Sequence, residues 1–231
     1  MLIKTLAFLS SLLLLIPMAD AQSCNSYFDF KTGTVFELSS YSKKDKLESS
    51  AKYIVNDVTS SADMTSFDMS VDIKDEKGKS INTADYAVEC KDGIYHIDVS
   101  RMISPQLLDA YNDMEMEVDG TALEFPNELA VGQTLPGGNC NLKVSSNGMK
   151  IMTITCNISD RTVEAEESIT TPVGTFDCYK MTYTSEVKIG LKIKSSVTEW
   201  YAKGIGLVKS EMYNKKGKLE SYTMLTDFKT P

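Results

Sequence analysis

The sequence has few of the residues from which most catalytic and metal sites are built. Among its 231 residues there is one histidine, His96, and there are two arginines, Arg101 and Arg161. A single histidine excludes poly-histidine metal sites and leaves one candidate base for a Ser–His or Cys–His pair. Two arginines make bidentate clamps for phosphate or carboxylate groups scarce. His96 falls on the polar face of an alternating strand, beside Asp98, and we expect a surface histidine there.

Motifs of known cofactor and metal sites are also missing. The chain contains no P-loop, nucleophile elbow, zinc motif or dinucleotide fingerprint, and its acidic stretch 109–119 lacks the spacing of a calcium loop. The net charge of −8 argues against nucleic acid and anionic membrane surfaces as partners. We therefore predict no catalytic residue, no cofactor and no metal ligand. A carboxylate pair of the glycoside hydrolase type stays open, because its separation is spatial.

Long apolar runs are confined to the N-terminus, where the pattern is typical of an export signal. Lys4 precedes the apolar stretch 6–16, which is too short to span a bilayer. The small-x-small pattern at 19–21 predicts a signal peptide over residues 1–21, cleaved between Ala21 and Gln22. The alternative is a lipoprotein anchored through Cys24. Both readings predict an exported protein, periplasmic or secreted, without a transmembrane segment.

Alternation of apolar and polar residues dominates the rest of the chain. In the clearest case Phe67, Met69, Val71 and Ile73 alternate with polar residues, which predicts a strand with one buried face. The whole pattern predicts an all-β fold of about a dozen antiparallel strands, a meander that forms a barrel-like or strongly curved sheet. One short helix is predicted over 104–111. We expect a single β-rich domain over 22–231, with a subdivision near 126–138 as the alternative.

Three dipeptides mark hairpin turns whose registers can be worked out from the alternation. The turn at 92–93 places Cys90 opposite Tyr95. The turn at 119–120 places Met116 opposite Leu123 and buries Met114 and Met116. A three-residue loop around 147–148 places Cys140 opposite Cys156. A further strand is predicted over 187–194, with its lysines on one face.

The five cysteines of an exported chain meet oxidising conditions, so disulfides are expected. Cys140 and Cys156 are the best candidates, because directly opposed residues on neighbouring strands lie within disulfide reach. Cys24 could pair with Cys90 or Cys178, and the sequence does not decide between them.

One internal repeat stands out. Segments 41–49 (YSKKDKLES) and 213–221 (YNKKGKLES) match at seven of nine positions, although the match fades in the flanking strands. A duplicated hairpin and shared turn chemistry both explain the repeat.

The C-terminal half carries a family resemblance. Residues 129–133 (LAVGQ), 171–179 (TPVGTFDCY) and 199–209 (EWYAKGIGLVK) resemble exported bacterial proteins of the TapB-like family, a domain of unknown function, most specifically over 126–228. The resemblance implies an exported, curved β-sheet protein and supplies no catalytic residues. Trp200 and Tyr201 are adjacent on one strand and point to opposite faces, so we expect only one of them in the core.

These observations favour a non-catalytic binding module of the cell envelope, for an apolar or amphipathic ligand or a partner protein. A carboxylate-dependent envelope hydrolase and a structural scaffold without a small ligand are the alternatives. A deep apolar cavity would favour the first, two carboxylates facing each other across a cleft the second, and a filled interior the third.

Overall fold

The computed structural model describes residues 24, 26–61, 64–97, 111 and 113–231. In these residues the regular structure is entirely β, and no helix is long and apolar enough to cross a membrane. The predicted signal peptide with its cleavage site, and the predicted helix up to residue 110, lie outside the described residues. The strands are β1 Val35–Ser42, β2 Leu47–Ser60, β3 Met64–Asp75, β4 Ser80–Lys91, β5 Ile94–Ile97, β6 Glu115–Thr121, β7 Leu123–Pro126, β8 Thr134–Leu135, β9 Gly138–Ser146, β10 Met149–Thr171, β11 Gly174–Ile189, β12 Leu191–Ala202, β13 Gly206–Asn214 and β14 Leu219–Lys229.

The fourteen strands form one antiparallel sheet that is nearly closed into a barrel, as the alternation predicted. The order across the sheet is β6-β9-β10-β11-β12-β13-β14-β1-β2-β3-β4-β5-β7, with β8 added against β10. Most neighbours are joined by short turns, because the chain runs as two meanders. The pairing of β1 with β14 joins the two meanders into one sheet.

The two outer strands of this order, β6 and β7, follow each other in the chain and are separated by one residue, Ala122. The hairpin predicted at 119–120 is therefore wrong. Met116 pairs with Val144 of β9, and β7 pairs with β5 instead. Gly120 makes no turn: a Cβ atom there would lie 2.1 Å from the Asn139 carbonyl oxygen, so the glycine permits close approach of β6 to β9.

Strand β6 is also exposed along its whole length, which corrects a second prediction. Met114 and Met116 were expected in the core, but their exposed fractions are 37% and 42%. Both wrong predictions have the same origin: β6 is not one arm of a hairpin but an outer strand of the sheet, paired with β9 alone.

The other two predicted registers are confirmed. Cys90 pairs with Tyr95, and Cys140 pairs with Cys156. The second hairpin reaches its register differently from the prediction. Its turn at Asn147-Gly148 has two residues with positive φ, and a β-bulge between Lys150 and Met152 supplies the shift of one position.

The strand predicted over 187–194 is two strands. Gly190, with φ of 69°, makes a tight turn between β11 and β12, so Lys188 pairs with Lys192 across the hairpin. A glycine within an alternating run was the only sequence feature that marked this turn.

The N-terminal segment, residues 24 and 26–34, packs across one end of the barrel, which we call the plugged end. Tyr27 is fully buried, and Phe30 is 6% exposed. The backbone N–H of Ser26 donates to Oδ1 of Asn127 at 2.8 Å, and its carbonyl accepts from the Gly204 N–H at 2.6 Å. The segment thus fixes the loop after β7 against the turn between β12 and β13.

The disulfide of the structure joins Cys24 of this segment to Cys90 of β4. Cys140 and Cys156 are both buried and lie directly opposite each other on β9 and β10. Burial raises the pKa of the Cys156 thiol to about 11, which disfavours the thiolate that disulfide formation requires. The register behind the prediction is confirmed, and the bond itself stays a prediction.

Candidate functional site

The concave side of the sheet contains an apolar cavity of about 200 Å³ that is partly open to solvent. Its walls come from β1 to β5, from β12 and β13, and from the N-terminal segment. Most of the side chains are aromatic or aliphatic, and the lining residues are Phe28, Phe30, Phe36, Leu38, Tyr53, Phe67, Met69, Tyr86, Val88, Ile97, Tyr201, Ile205 and Leu207.

Alternation in the strands places these side chains inside, and aromatic packing orders them. Phe36 of β1 and Tyr53 of β2 are paired in register, and their rings stack at 4.6 Å with an interplanar angle of 8°. Phe30 also stacks with Phe36, at 5.1 Å between ring centroids. Stacked rings with few rotatable bonds hold one another in place, which favours a preformed cavity.

A buried carboxylate lies behind the cavity wall. Glu199 of β12 is 9% exposed and accepts two hydrogen bonds, from the Tyr201 hydroxyl at 2.7 Å and the Tyr183 hydroxyl at 2.9 Å. Burial raises the pKa of Glu199, and the two tyrosine hydrogen bonds and the charge of Arg161 oppose that rise. Tyr201 also lines the cavity, so this polar cluster is one side chain away from the apolar space.

Arg161 enters the interior at an irregularity of β10. The preceding residue, Asp160, has a φ of 57°, and the pairing with β11 shifts between Ser159 and Thr162. Arg161 is 4% exposed, and its Nη1 donates to the carbonyls of Glu124 at 2.7 Å and Pro136 at 2.8 Å. Because Glu124 belongs to β7, this side chain ties the last strand of the sheet order to β10 across the gap in the barrel.

Trp200 and Tyr201 are both buried, at 5% and 9% exposure, which corrects the expectation that only one would be. They do point to opposite faces. Tyr201 packs on Phe125 inside the barrel, whereas Trp200 joins a small cluster with Cys178 and Val208. Its indole Nε1 donates to Glu167, and Lys209 lies over its ring at 5.0 Å. Side chains of neighbouring strands therefore cover this part of the second face.

The remaining sequence candidates are not brought together. His96 is exposed on β5, as expected. Among the residues that the structure describes, no group of three His, Cys, Asp or Glu side chains could hold a metal ion. Sequence reasoning missed Glu199 and Arg161. The one available signal for Glu199 was its place between Val197 and Tyr201 on the inward-facing positions of β12.

The fold and this site define a barrel-like all-β protein with an aromatic-lined cavity that is partly open to solvent. The sequence matches the profile of the DUF3108-like family over residues 31–225, and the chain belongs to that family, whose function is unknown. The predicted family of exported proteins of unknown function is confirmed at this level. The TapB-like assignment is not part of that match.

Two solved structures are similar to this chain. One, from Bacteroides fragilis, is described as an exported protein with a YmcC-like fold, and it is 25% identical with a TM-score of 0.74. The other, from Parabacteroides distasonis, is described as a lipoprotein, and it is 28% identical with a TM-score of 0.73. Each similarity covers 90% of this chain and 100% of the other. The exported location expected from the sequence agrees with both descriptions. No curated protein matches.

Proposed function

We propose that this protein is an envelope binding module that holds a small apolar ligand, or the apolar end of an amphipathic one, in the aromatic cavity. The observation that carries the proposal is the cavity of about 200 Å³ lined almost wholly by apolar side chains. An engineered apolar cavity of about 150 Å³ is known to stay dry and to bind benzene. Pockets for drug-sized ligands run from about 300 to 1,000 Å³, so a single ring or a short alkyl segment is the expected occupant.

Two features make a carboxylate-dependent hydrolase the weaker candidate. Both oxygens of Glu199 accept hydrogen bonds from tyrosine hydroxyls, which suits a buried structural acceptor better than a base that must reach a substrate. The cation that interacts with Glu199 is Arg161, and its Nη1 already donates hydrogen bonds to two backbone carbonyls. We propose that the cluster of Glu199, Tyr183 and Tyr201 fixes the position of the cavity wall.

The bonding of Cys24 supports one of the two forms predicted for the exported protein. In a lipoprotein the sulfur of the first cysteine carries the lipid, so it cannot also form a disulfide. With Cys24 bonded to Cys90, we propose the unlipidated exported form for this chain, cleaved before Gln22. We also propose the TapB-like relationship, on the basis of residues 129–133, 171–179 and 199–209.

The first test is the intact mass of protein recovered from its own envelope, measured under native and then denaturing conditions. A mass excess seen only in the native spectrum supports a non-covalent ligand, and its fragmentation identifies the ligand. A bare polypeptide mass in both spectra would favour the scaffold. The denatured mass also reports whether the chain begins at Gln22 or at a lipidated Cys24.

A matched pair of variants tests the cavity itself. Val88→Phe adds a ring at the cavity wall, whereas Val131→Phe makes the same change at a loop residue that is 55% exposed. With toluene as an apolar probe and dodecanoate as an amphipathic one, we expect wild type and V131F to gain Tm on addition of probe and V88F to gain none. An equal gain in all three proteins would refute binding in this cavity.

A further inference from the structure

Three hairpin turns at the end of the barrel opposite the plugged end share one backbone conformation. In the first, over 42–46, the Ser42 N–H donates to the Lys46 carbonyl at 2.9 Å, and Asp45 has a φ of 59°. The Ser42 hydroxyl accepts from the backbone N–H groups of Lys44 and Lys46 at 3.4 and 3.3 Å. The first residue of the turn thus fixes the loop from both its backbone and its side chain.

Turns 75–79 and 214–218 repeat these bonds. Oδ1 of Asp75 or Asn214 replaces the serine hydroxyl and accepts from the third and fifth residues at 2.9 to 3.2 Å. A glycine with positive φ holds the fourth position, Gly78 or Gly217. The repeat seen in the sequence thus has the same turn chemistry in both copies, and a third turn shares it without a matching sequence. In all three turns the third and fifth residues are lysines.

The sheet order places the three turns side by side. They join β1 to β2, β3 to β4 and β13 to β14, which are six consecutive strands of the sheet. At a strand spacing of about 4.8 Å, neighbouring turns are roughly 10 Å apart. All lysines of the turns are exposed, and none forms an ion pair with a described residue. We call this set the lysine row; its members are Lys43, Lys44, Lys46, Lys77, Lys79, Lys215, Lys216 and Lys218.

Carboxylates in and beside the turns do not cancel the row. Five are present, namely Asp45, Glu48, Asp75, Glu76 and Glu220, against eight lysines. Three of them accept local hydrogen bonds: Asp75 from the turn N–H groups, Asp45 from the Tyr222 hydroxyl at 2.8 Å, and Glu220 from the Asn214 side-chain amide at 3.2 Å. This end therefore carries a positive surplus in a protein whose net charge is −8.

An apolar tip lies next to the lysine row. The hairpin of β11 and β12 neighbours β13, and β12 begins four residues before Ser195, which pairs with Asn214. The tip therefore extends past the third turn. It carries Leu191, 82% exposed, and Ile193, 58% exposed. Exposed aliphatic residues beside clustered lysines are the combination by which peripheral proteins hold an anionic bilayer.

We infer that the lysine row and this apolar tip dock the protein on an anionic phospholipid bilayer. The row is attracted to the headgroup phosphates, and Leu191 and Ile193 enter the interface between headgroups and acyl chains. This surface is independent of the cavity ligand proposed above, because none of its residues lines the cavity.

Flotation with vesicles tests the inference on the full exported chain. Wild-type protein is mixed with vesicles of phosphatidylcholine alone or with about one third phosphatidylglycerol, at low ionic strength. We expect binding to the anionic vesicles only, and release as added salt shortens the screening length. Failure to bind the anionic vesicles, or equal binding to both compositions, would overturn the inference.

Matched charge variants locate the surface. Lys44→Gln/Lys216→Gln removes two members of the row, and both positions contribute only a backbone N–H to their turns. Lys31→Gln/Lys91→Gln removes two exposed lysines at the plugged end. We expect about 5-fold weaker vesicle binding per lysine of the row, roughly 25-fold for the first variant, and little change for the second. Equal losses in the two variants would overturn the assignment.

A third variant distinguishes docking on a bilayer from binding of phosphate in solution. Leu191→Ser/Ile193→Ser keeps every charge and removes the exposed apolar area, so it should weaken binding to anionic vesicles and leave retention on a phosphate resin unchanged. Wild-type affinity for the vesicles in this variant would refute bilayer docking and leave the row as a site for soluble phosphate.

Discussion

The disulfide between Cys24 and Cys90 gives the most quantitative prediction. Cys24→Ala/Cys90→Ala opens a loop that spans 66 positions of the sequence. In the chain-entropy relation, closing a loop of that length lowers the free energy of folding by about 4 kcal/mol, through the entropy of the unfolded chain. The bond also holds the N-terminal segment on the plugged end, so its loss should be felt as destabilisation of the whole barrel.

Urea unfolding at pH 7, followed by the fluorescence of the single tryptophan, Trp200, measures this difference. With a slope of about 2–3 kcal/mol per molar urea, the variant's midpoint should fall by roughly 1.3–2 M. Reductant supplies the control, because wild type and variant should have the same midpoint when it is present. A midpoint shift below about 0.4 M would refute the reasoning. So would a difference between the two proteins that survives in reductant.

Three further predictions concern the interior. Gly206→Ala combines positive φ with a Cβ that would lie 2.8 Å from a phenyl ring of the N-terminal segment, whereas Gly204→Ala has positive φ and no neighbour within 4 Å. We expect urea unfolding to show that G204A lowers the free energy of unfolding by about 1–2 kcal/mol and that G206A lowers it by at least about 1 kcal/mol more. Equal losses in the two variants would contradict the packing argument. Burial raises the pKa of Glu199. The stability contributed by its protonated form is therefore complete below the unfolded-state pKa near 4.5 and is lost as pH rises through the folded-state pKa. Glu199→Gln should therefore lose less stability than wild type between pH 5 and pH 8, and an unchanged pH dependence would show that the carboxylate is already compensated. Peptide mapping without reductant tests Cys140 and Cys156, and recovery of both as alkylated thiols would remove the predicted bond.

The parts of the fold that could be predicted are those where the turn and the alternation specify the same register. At Asp92-Gly93 and Asn147-Gly148 a positive-φ turn is flanked by inward residues that match only one pairing, and both pairings are confirmed. At Asp119-Gly120 the same two residues stand in a continuous strand. A glycine that frees a turn and a glycine that admits a close neighbour look identical in sequence. The neighbour, Asn139, is distant in sequence and became visible only in the structure.

The candidate site was harder to predict, because it is made by strands from both meanders. The cavity joins β1 to β5 with β12 and β13, and no local pattern reports which inward side chains leave space between them. The distribution of charge was also hidden in the sequence, because net charge takes no account of position. A sum over the chain gave −8 and argued against anionic surfaces, whereas the sheet order gathers lysines from three separate turns at one end.

The pairing of β1 with β14 has a consequence for how the protein is made. Ribosomes and export channels deliver a chain from its N-terminus, so β1 is present long before its last neighbour is synthesised. Until β14 arrives, β1 has β2 on one side and an open edge on the other. Contacts between the two ends of a chain form slowly, because a long loop must close before they form. During that interval the first meander is an incomplete sheet whose edge strand has unpaired N–H and C=O groups. Pairing of this edge with other chains must be prevented until β14 is in place.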